Sequence, residues 1–177
     1  MDDKVAATIA FLLRNFTLTA FVLGLLFSAA AILRAPRPRA PALVVDRLIA
    51  WFVFFNIGVA YLYNFIMHAF FGEMTARFIG WADSPFQFEV ATASLGFSVV
   101  GFLAAFRSFD LRLAAILAPG IFTLGAAVGH VREMISAHNF APGNAGVVFW
   151  TDILGPLIGF LLLWLQARLA RGRHPAA

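Results

Sequence analysis

Five stretches of this chain are apolar almost throughout, and polar residues return at regular intervals between them. The stretches run from Phe16 to Leu33, Leu48 to Phe71, Phe86 to Phe106, Leu113 to His130 and Val147 to Gln166. A helix that spans a bilayer needs about 20 mostly apolar residues, so each stretch is long enough to cross. The pattern predicts an all-α integral membrane bundle of five transmembrane helices, with residues 1–177 as one domain. The mixed stretch Val5 to Asn15, which contains Arg14, either extends the first span or lies along the membrane surface.

Composition supports this. Hydrophobic residues make up 62% of the 177 and charged residues 12%, whereas soluble domains are roughly 45 to 50% and 25%. The mean hydropathy is +0.86. The pI near 10.7 raises nucleic acid as a partner. The basic residues, however, sit in short turns between apolar runs, where they set topology. Nucleic acid is therefore excluded as a partner, and the lipid bilayer takes its place. With no Cys in the chain, thiolate metal sites and iron–sulfur clusters are excluded, leaving imidazole and carboxylate as the strong ligands.

The arginines fix an expected orientation. Arg34, Arg37, Arg39 and Arg47, then Arg107 and Arg112, then Arg168, Arg171 and Arg173 all fall on one side of a five-span chain. Positive-inside bias makes that side cytoplasmic and puts the N-terminus outside, as expected for a bacterial inner-membrane protein. Pro36, Pro38 and Pro41 make the first cytoplasmic turn a stiff connector. His68, Glu73, Glu89, His130, Glu133 and Asp152 then lie toward the opposite face, at one level. An ionisable group inside a bilayer costs about 2.5 to 3.5 kcal/mol on insertion scales, so six on one level suggest a common site.

Spans two and three also resemble spans four and five when Glu73-Met74 is laid on Glu133-Met134. Each pair is followed by an outer turn and a helix with an acid seven residues before Gly-Phe: Glu89 before Gly96-Phe97, and Asp152 before Gly159-Phe160. Two parallel two-helix repeats would give spans two to five the form of a four-helix bundle. Its inventory of four carboxylates and two imidazoles is that of a dimetal carboxylate site. The expected ligands are Glu73, Glu89, His130, Glu133 and Asp152, with His68 the weakest because five residues separate it from Glu73. His138, Arg77 and Arg132 are secondary candidates. The expected cofactor is a divalent metal, iron, zinc or manganese. Haem b between His68 and His130 fits less well, since several carboxylates would surround it.

Blander readings stand beside these. Glu73 and Arg77 are spaced i, i+4 and are placed to pair. Arg132 is placed to neutralise Glu133 or Asp152. In Gly80-Trp-Ala-Asp-Ser-Pro-Phe-Gln87, Asp83 or Ser84 reads as a helix N-cap with Gln87 as capping-box partner, and Asn139 and Asn144 read as turn residues. Trp51, Trp81, Trp150 and Trp164 read as interface anchors. Asn56, Tyr61, Tyr63 and Asn64 are expected to hydrogen-bond neighbouring helices.

The motifs His-Ala-Phe-Phe-Gly-Glu73 and Asp-Ser-Pro-Phe-Gln-Phe-Glu89, in a chain of this size with five spans, resemble those of an uncharacterised family of small multi-pass bacterial membrane proteins. That resemblance implies no activity. Three functions follow as expectations: a metal-binding site, a proton-coupled small-solute carrier, and a structural subunit of a larger membrane complex, with homo-oligomers also compatible.

Overall fold

A computed structural model describes residues 2–171, in which the chain is helical and contains no strand. Arg173, counted above with the basic tail, lies outside the described residues. The helices are α1 (Asp3–Arg14), α2 (Phe16–Arg34), α3 (Pro41–Phe52), α4 (Ala60–Phe70), α5 (Gly72–Ile79), α6 (Phe86–Ala104), α7 (Phe109–Ser136), α8 (Pro142–Ala145) and α9 (Val147–Arg171). A π-helical segment, Val53–Val59, joins α3 to α4, making one long second span, Pro41–Phe70. Five helical stretches are long and apolar enough to cross a membrane, and large aliphatic residues such as Leu26, Leu103, Ile121 and Leu161 stay exposed along them. In water those side chains would be a liability; in lipid they face their solvent.

The helix bounds differ from the sequence expectation chiefly at the start of the second span, at both ends of the fourth and at the end of the fifth, which reaches Arg171. The second span begins at Pro41 rather than Leu48, because Pro41 occupies the first helical turn, where proline's missing N–H costs nothing. The fourth span runs from Phe109 to Ser136, so Arg112 belongs to a helix and not to a turn. The first span does begin at Phe16 as expected, and the stretch before it forms its own helix, α1, set off at Asn15 (φ −110°, ψ 39°), with none of its residues buried.

Spans two to five form a ring. α6 packs along α4 and the π segment, α7 along both α6 and α9, and α9 along α3, while α2 lies outside against α3 and the π segment. The main apolar core of the ring sits toward its arginine-rich end. There Ile49, Phe52, Val53, Ala104, Ala105, Ala115, Ile116, Leu162 and Leu163 make one apolar cluster drawn from four spans. The other end holds the polar residues, so the bundle has an apolar plug below a polar mouth.

Small residues let the second and third spans touch. A Cβ built on Gly101 would lie 2.6 Å from the backbone nitrogen of Gly58, and one on Gly58 would lie 2.6 Å from the Phe102 ring. Ser98, buried at the same level, donates its hydroxyl to the Gly58 carbonyl at 2.7 Å. Backbone, unlike a flexible side chain, cannot swing aside, so Gly101→Ala should force the two helices apart. A loss of about 1 to 3 kcal/mol is expected, readable as a lowered thermal unfolding midpoint in detergent. An unchanged midpoint would show that this contact is not tight.

At the mouth, two outer turns clasp each other. Gly80 has the left-handed φ of 79° that ends α5, and a Cβ there would come within 2.6 Å of the Asn139 side-chain oxygen. Asn139 donates through Nδ2 to the carbonyls of Ile79 (3.0 Å) and Gly80 (3.1 Å) and accepts from Ala141 N (3.0 Å). The short α5 and α8 thereby form a polar rim over the ends of α4, α6, α7 and α9.

Candidate functional site

His130 and Asp152 face each other inside this mouth. Both lie on the buried stripes of their helices: Arg112, Ile116, Pro119, Ala127 and His130 on α7, and Asp152, Pro156, Gly159 and Leu163 on α9. Those residues recur at steps of three or four positions, or of eight between Pro119 and Ala127, which keeps them on one helix face. His130 is 5% exposed and Asp152 8%. The imidazole Nε2 stands 3.6 Å from a carboxylate oxygen of Asp152, close enough for an ion pair and just beyond a good hydrogen bond.

The other side of the ring is fixed by Asn144, which is fully buried. Its Nδ2 donates to two backbone carbonyls, His130 O (3.2 Å) and Asn139 O (2.8 Å). Those acceptors settle which end of the amide is nitrogen. Its Oδ1 receives the Trp81 indole N–H at 3.0 Å and lies 2.7 Å from His130 Nδ1. An amide oxygen only accepts, so Nδ1 must be the protonated nitrogen of His130. When the imidazole is neutral, its Nε2 lone pair therefore points at Asp152. Trp81 and Phe149 complete the enclosure, with ring centroids 5.4 and 6.4 Å from that of His130.

His68 has a lesser version of the same arrangement. Its Nδ1 contacts Gln87 Oε1, while Gln87 Nε2 donates to Gly72 O at 3.1 Å. A carboxamide again takes the Nδ1–H and is oriented by a main-chain carbonyl. No carboxylate stands within ion-pair distance of His68 among the described residues, which is the chief difference from His130.

The remaining candidates lie apart. Glu73 sits on α5, beyond the second span, and pairs with Arg77 at 2.8 Å while both stay exposed. Glu89 is exposed at the start of α6. The buried stripe of that helix is Ala91, Ser94, Ser98 and Gly101, and two residues turn a helix by about 200°, so Glu89 faces away from the bundle. Glu133 is half-buried one turn beyond His130, and its main-chain carbonyl accepts from Ala137 and Asn139. Arg132 is exposed and makes no ion pair with Glu133 or Asp152 among the described residues. His138 is exposed in the outer turn, with a positive φ of 50°. Among the described residues no group of three or more His, Asp or Glu side chains is placed to hold a metal ion.

Three site residues had ordinary readings in the sequence. Gln87 does not serve a capping box: Pro85 occupies the N-cap of α6 and no side chain caps it, because Gln87 is committed to His68 and Gly72. Asn144 is a buried hub and not a turn residue. Trp81 aims its indole N–H inward at Asn144, although it lies near the interface as an anchor would. The polar residues of the second span fare as expected at two positions. Tyr61 donates to Pro119 O at 3.3 Å and Asn64 to Ser94 Oγ at 2.9 Å. Asn56 instead bonds its own helix at Phe52 O, and the Tyr63 ring packs 4.7 Å from that of Phe16.

No curated protein and no solved structure matches the chain. Residues 14–172 do match a family of unknown function, DUF6790. That covers nearly the whole chain, and the chain belongs to this family.

Proposed function

We propose that this member of the DUF6790 family is a proton-coupled membrane carrier in which His130 and Asp152 hold the coupling proton. One observation carries the reading: His130 Nδ1 is committed to Asn144 Oδ1, so Nε2 and the Asp152 carboxylate meet as two acceptors unless a proton lies between them. With one proton the pair is neutral overall, either as imidazolium and carboxylate or as imidazole and carboxylic acid. Removing that proton leaves a net negative charge, and adding a second leaves a positive one. In a buried, low-dielectric position either charge is expensive unless a counter-charge accompanies it. Such a pair therefore exchanges its proton most readily against a cation or together with an anion, which is the elementary requirement of coupled transport.

The fold favours this role in a second way. The apolar plug of Ile49, Phe52, Ile116 and Leu163 closes the bundle on the side away from the pair, so protons reach it from the polar mouth. In a cell the mouth would face outward and the arginine-rich end the cytoplasm, by the positive-inside bias of the turns. Release to the opposite side then requires the ring to rearrange around the pair, as in rocking carriers.

The test uses the full chain reconstituted in vesicles loaded with a pH-sensitive dye. Under an imposed pH gradient, alkali cations, small amines and small carboxylates are supplied in turn. At least one should accelerate proton movement, and Asp152→Asn should slow it on the order of a hundredfold, the scale of a lost proton-transfer group. Infrared spectroscopy provides a check independent of the solute: a signal that titrates with the shared proton should vanish in the same variant. Vesicles that show no solute-dependent proton movement, together with an unchanged infrared titration, would end the proposal.

A divalent metal is the second reading, since a free Nε2 lone pair beside a carboxylate is also a pair of metal ligands. It predicts about one equivalent of iron, zinc or manganese in the purified protein, lost in His130→Gln, where the carrier reading predicts none.

A further inference from the structure

The arginine-rich end of the bundle contains a polar cleft that the proton pair does not use. It lies between the first two turns of α3 and the last turns of α9, has a volume of about 340 Å³, and is lined by Asp46, Arg47 and Gln166 with Leu43 and Leu169. Charge is out of balance there. Asp46 accepts from buried Arg112 at 2.8 Å on one oxygen and faces Arg47 at 3.7 Å with the other, so two guanidinium groups share a single carboxylate. One positive charge is left over. The cleft also holds an unmet acceptor: Gln166 Oε1 is buried and has no hydrogen-bond partner among the described residues.

A ligand that completes this cleft needs one negative charge for the surplus guanidinium and a hydrogen-bond donor for the Gln166 oxygen. It must also tolerate apolar walls, for Leu43 and Leu169 flank the polar groups. Position narrows the class further. Residues 42–47 and 166–170 sit where the second and fifth spans leave the apolar layer, which is the depth of lipid headgroups, and basic clefts between helices at this depth suit phospholipid heads. We infer that the cleft between α3 and α9 binds an anionic phosphodiester lipid whose headgroup carries a hydroxyl. The phosphate faces Arg47, the hydroxyl donates to Gln166 Oε1, and the acyl chains run down the outer faces of the two helices. The chemistry is that of phosphatidylglycerol. A choline headgroup lacks both the net charge and the donor.

Native mass spectrometry of the full-length protein in detergent, supplied with phosphatidylglycerol or phosphatidylcholine, tests the assignment. Wild type should retain one phosphatidylglycerol in clear preference to phosphatidylcholine. Arg47→Gln should weaken retention about fivefold, the effect of one basic charge at a membrane surface. Gln166→Met, which fills the same space without an acceptor, should narrow the preference between the two lipids, and both variants should melt as the wild type does. The control Arg132→Gln, at the opposite end, should change nothing. Equal retention of the two lipids by wild type would overturn the assignment, as would unaltered retention in both cleft variants. Displacement of the lipid by millimolar glycerol phosphate would reassign the cleft to a soluble phosphate ester and overturn the lipid proposal equally.

Discussion

Asn144→Leu is expected to cost the protein about 2 to 4 kcal/mol, among the largest effects of any single substitution in the bundle. The Asn144 side chain makes four hydrogen bonds, from Trp81 and His130 side chains and to the His130 and Asn139 carbonyls. Leucine has similar volume and meets none of them. The indole N–H and the imidazole Nδ1–H would be left without acceptors in a site that is closed to water at Asn144 itself. Each individual bond between membrane helices contributes on average only about 0.6 kcal/mol, so the size of the effect comes from stranding several partners at once. A graded series checks this by thermal unfolding in detergent. Trp81→Phe, which removes one donor and keeps the ring, should cost about 1 kcal/mol, well short of Asn144→Leu. If the two variants melt together, Asn144 is not the hub described. In Asn144→Leu the Nδ1 constraint also disappears, so the infrared signature of the shared proton should change even in the fraction that stays folded.

The second large effect is expected at Arg112. Its guanidinium is 3% exposed, bonds Asp46 at 2.8 Å and donates to Ala105 O at 2.9 Å. Ala105 is the C-cap of α6, so one side chain ties the second span, the end of the third and the start of the fourth, and places a cation at a helix C-terminus where the dipole favours it. Breaking a buried ion pair by removing one partner costs about 3 to 5 kcal/mol when both are enclosed. Asp46 is 41% exposed and water relieves part of that penalty, so Arg112→Met is expected to cost about 2 to 4 kcal/mol. The sharper measurement is a double-mutant cycle. Asp46→Leu with Arg112→Met should be less harmful than the sum of the two singles, because an apolar pair strands no charge. Strict additivity would mean that the two residues do not work as a pair.

How much of this was legible in the sequence depends on the kind of signal each residue leaves. His130 and Asp152 stood out because an ionisable group inside an apolar run is conspicuous, and the spacing of their helices placed both on inward faces. Glu89 stood out equally, yet it lies on the outer face of α6. The stripe of Ala91, Ser94, Ser98 and Gly101 carried that information, since small residues mark where helices approach; the acid's distance from Gly-Phe did not. Glu73 and Arg77 paired as their i, i+4 spacing indicated. Asn144 and Gln87 left no distinctive trace, for an amide in a turn has an ordinary local role, and only the three-dimensional approach of a histidine gives it another. Arg112 carries the signature of a topology charge because it borders a turn. Nothing in its flanking residues shows that Asp46, in a helix 66 positions away in the chain, is waiting for it. The five spans were legible from apolar length; the π segment within the second was not.

That π segment has a consequence for how the chain tolerates change. The second span serves two sites of different character: Asp46 below Val53–Val59 belongs to the arginine knot, and His68 above it belongs to the mouth. A wider turn absorbs residues that a regular helix would place elsewhere, and each residue accounts for roughly 100° of rotation. Loss of a single residue from Val53–Val59 would preserve hydropathy, length and helix content almost unchanged while turning His68 away from Gln87 or Asp46 away from Arg112. The span thus behaves as a two-ended key whose bits are cut at a fixed angle, and chains of this family should accept substitutions within that segment far more readily than a change in the number of its residues.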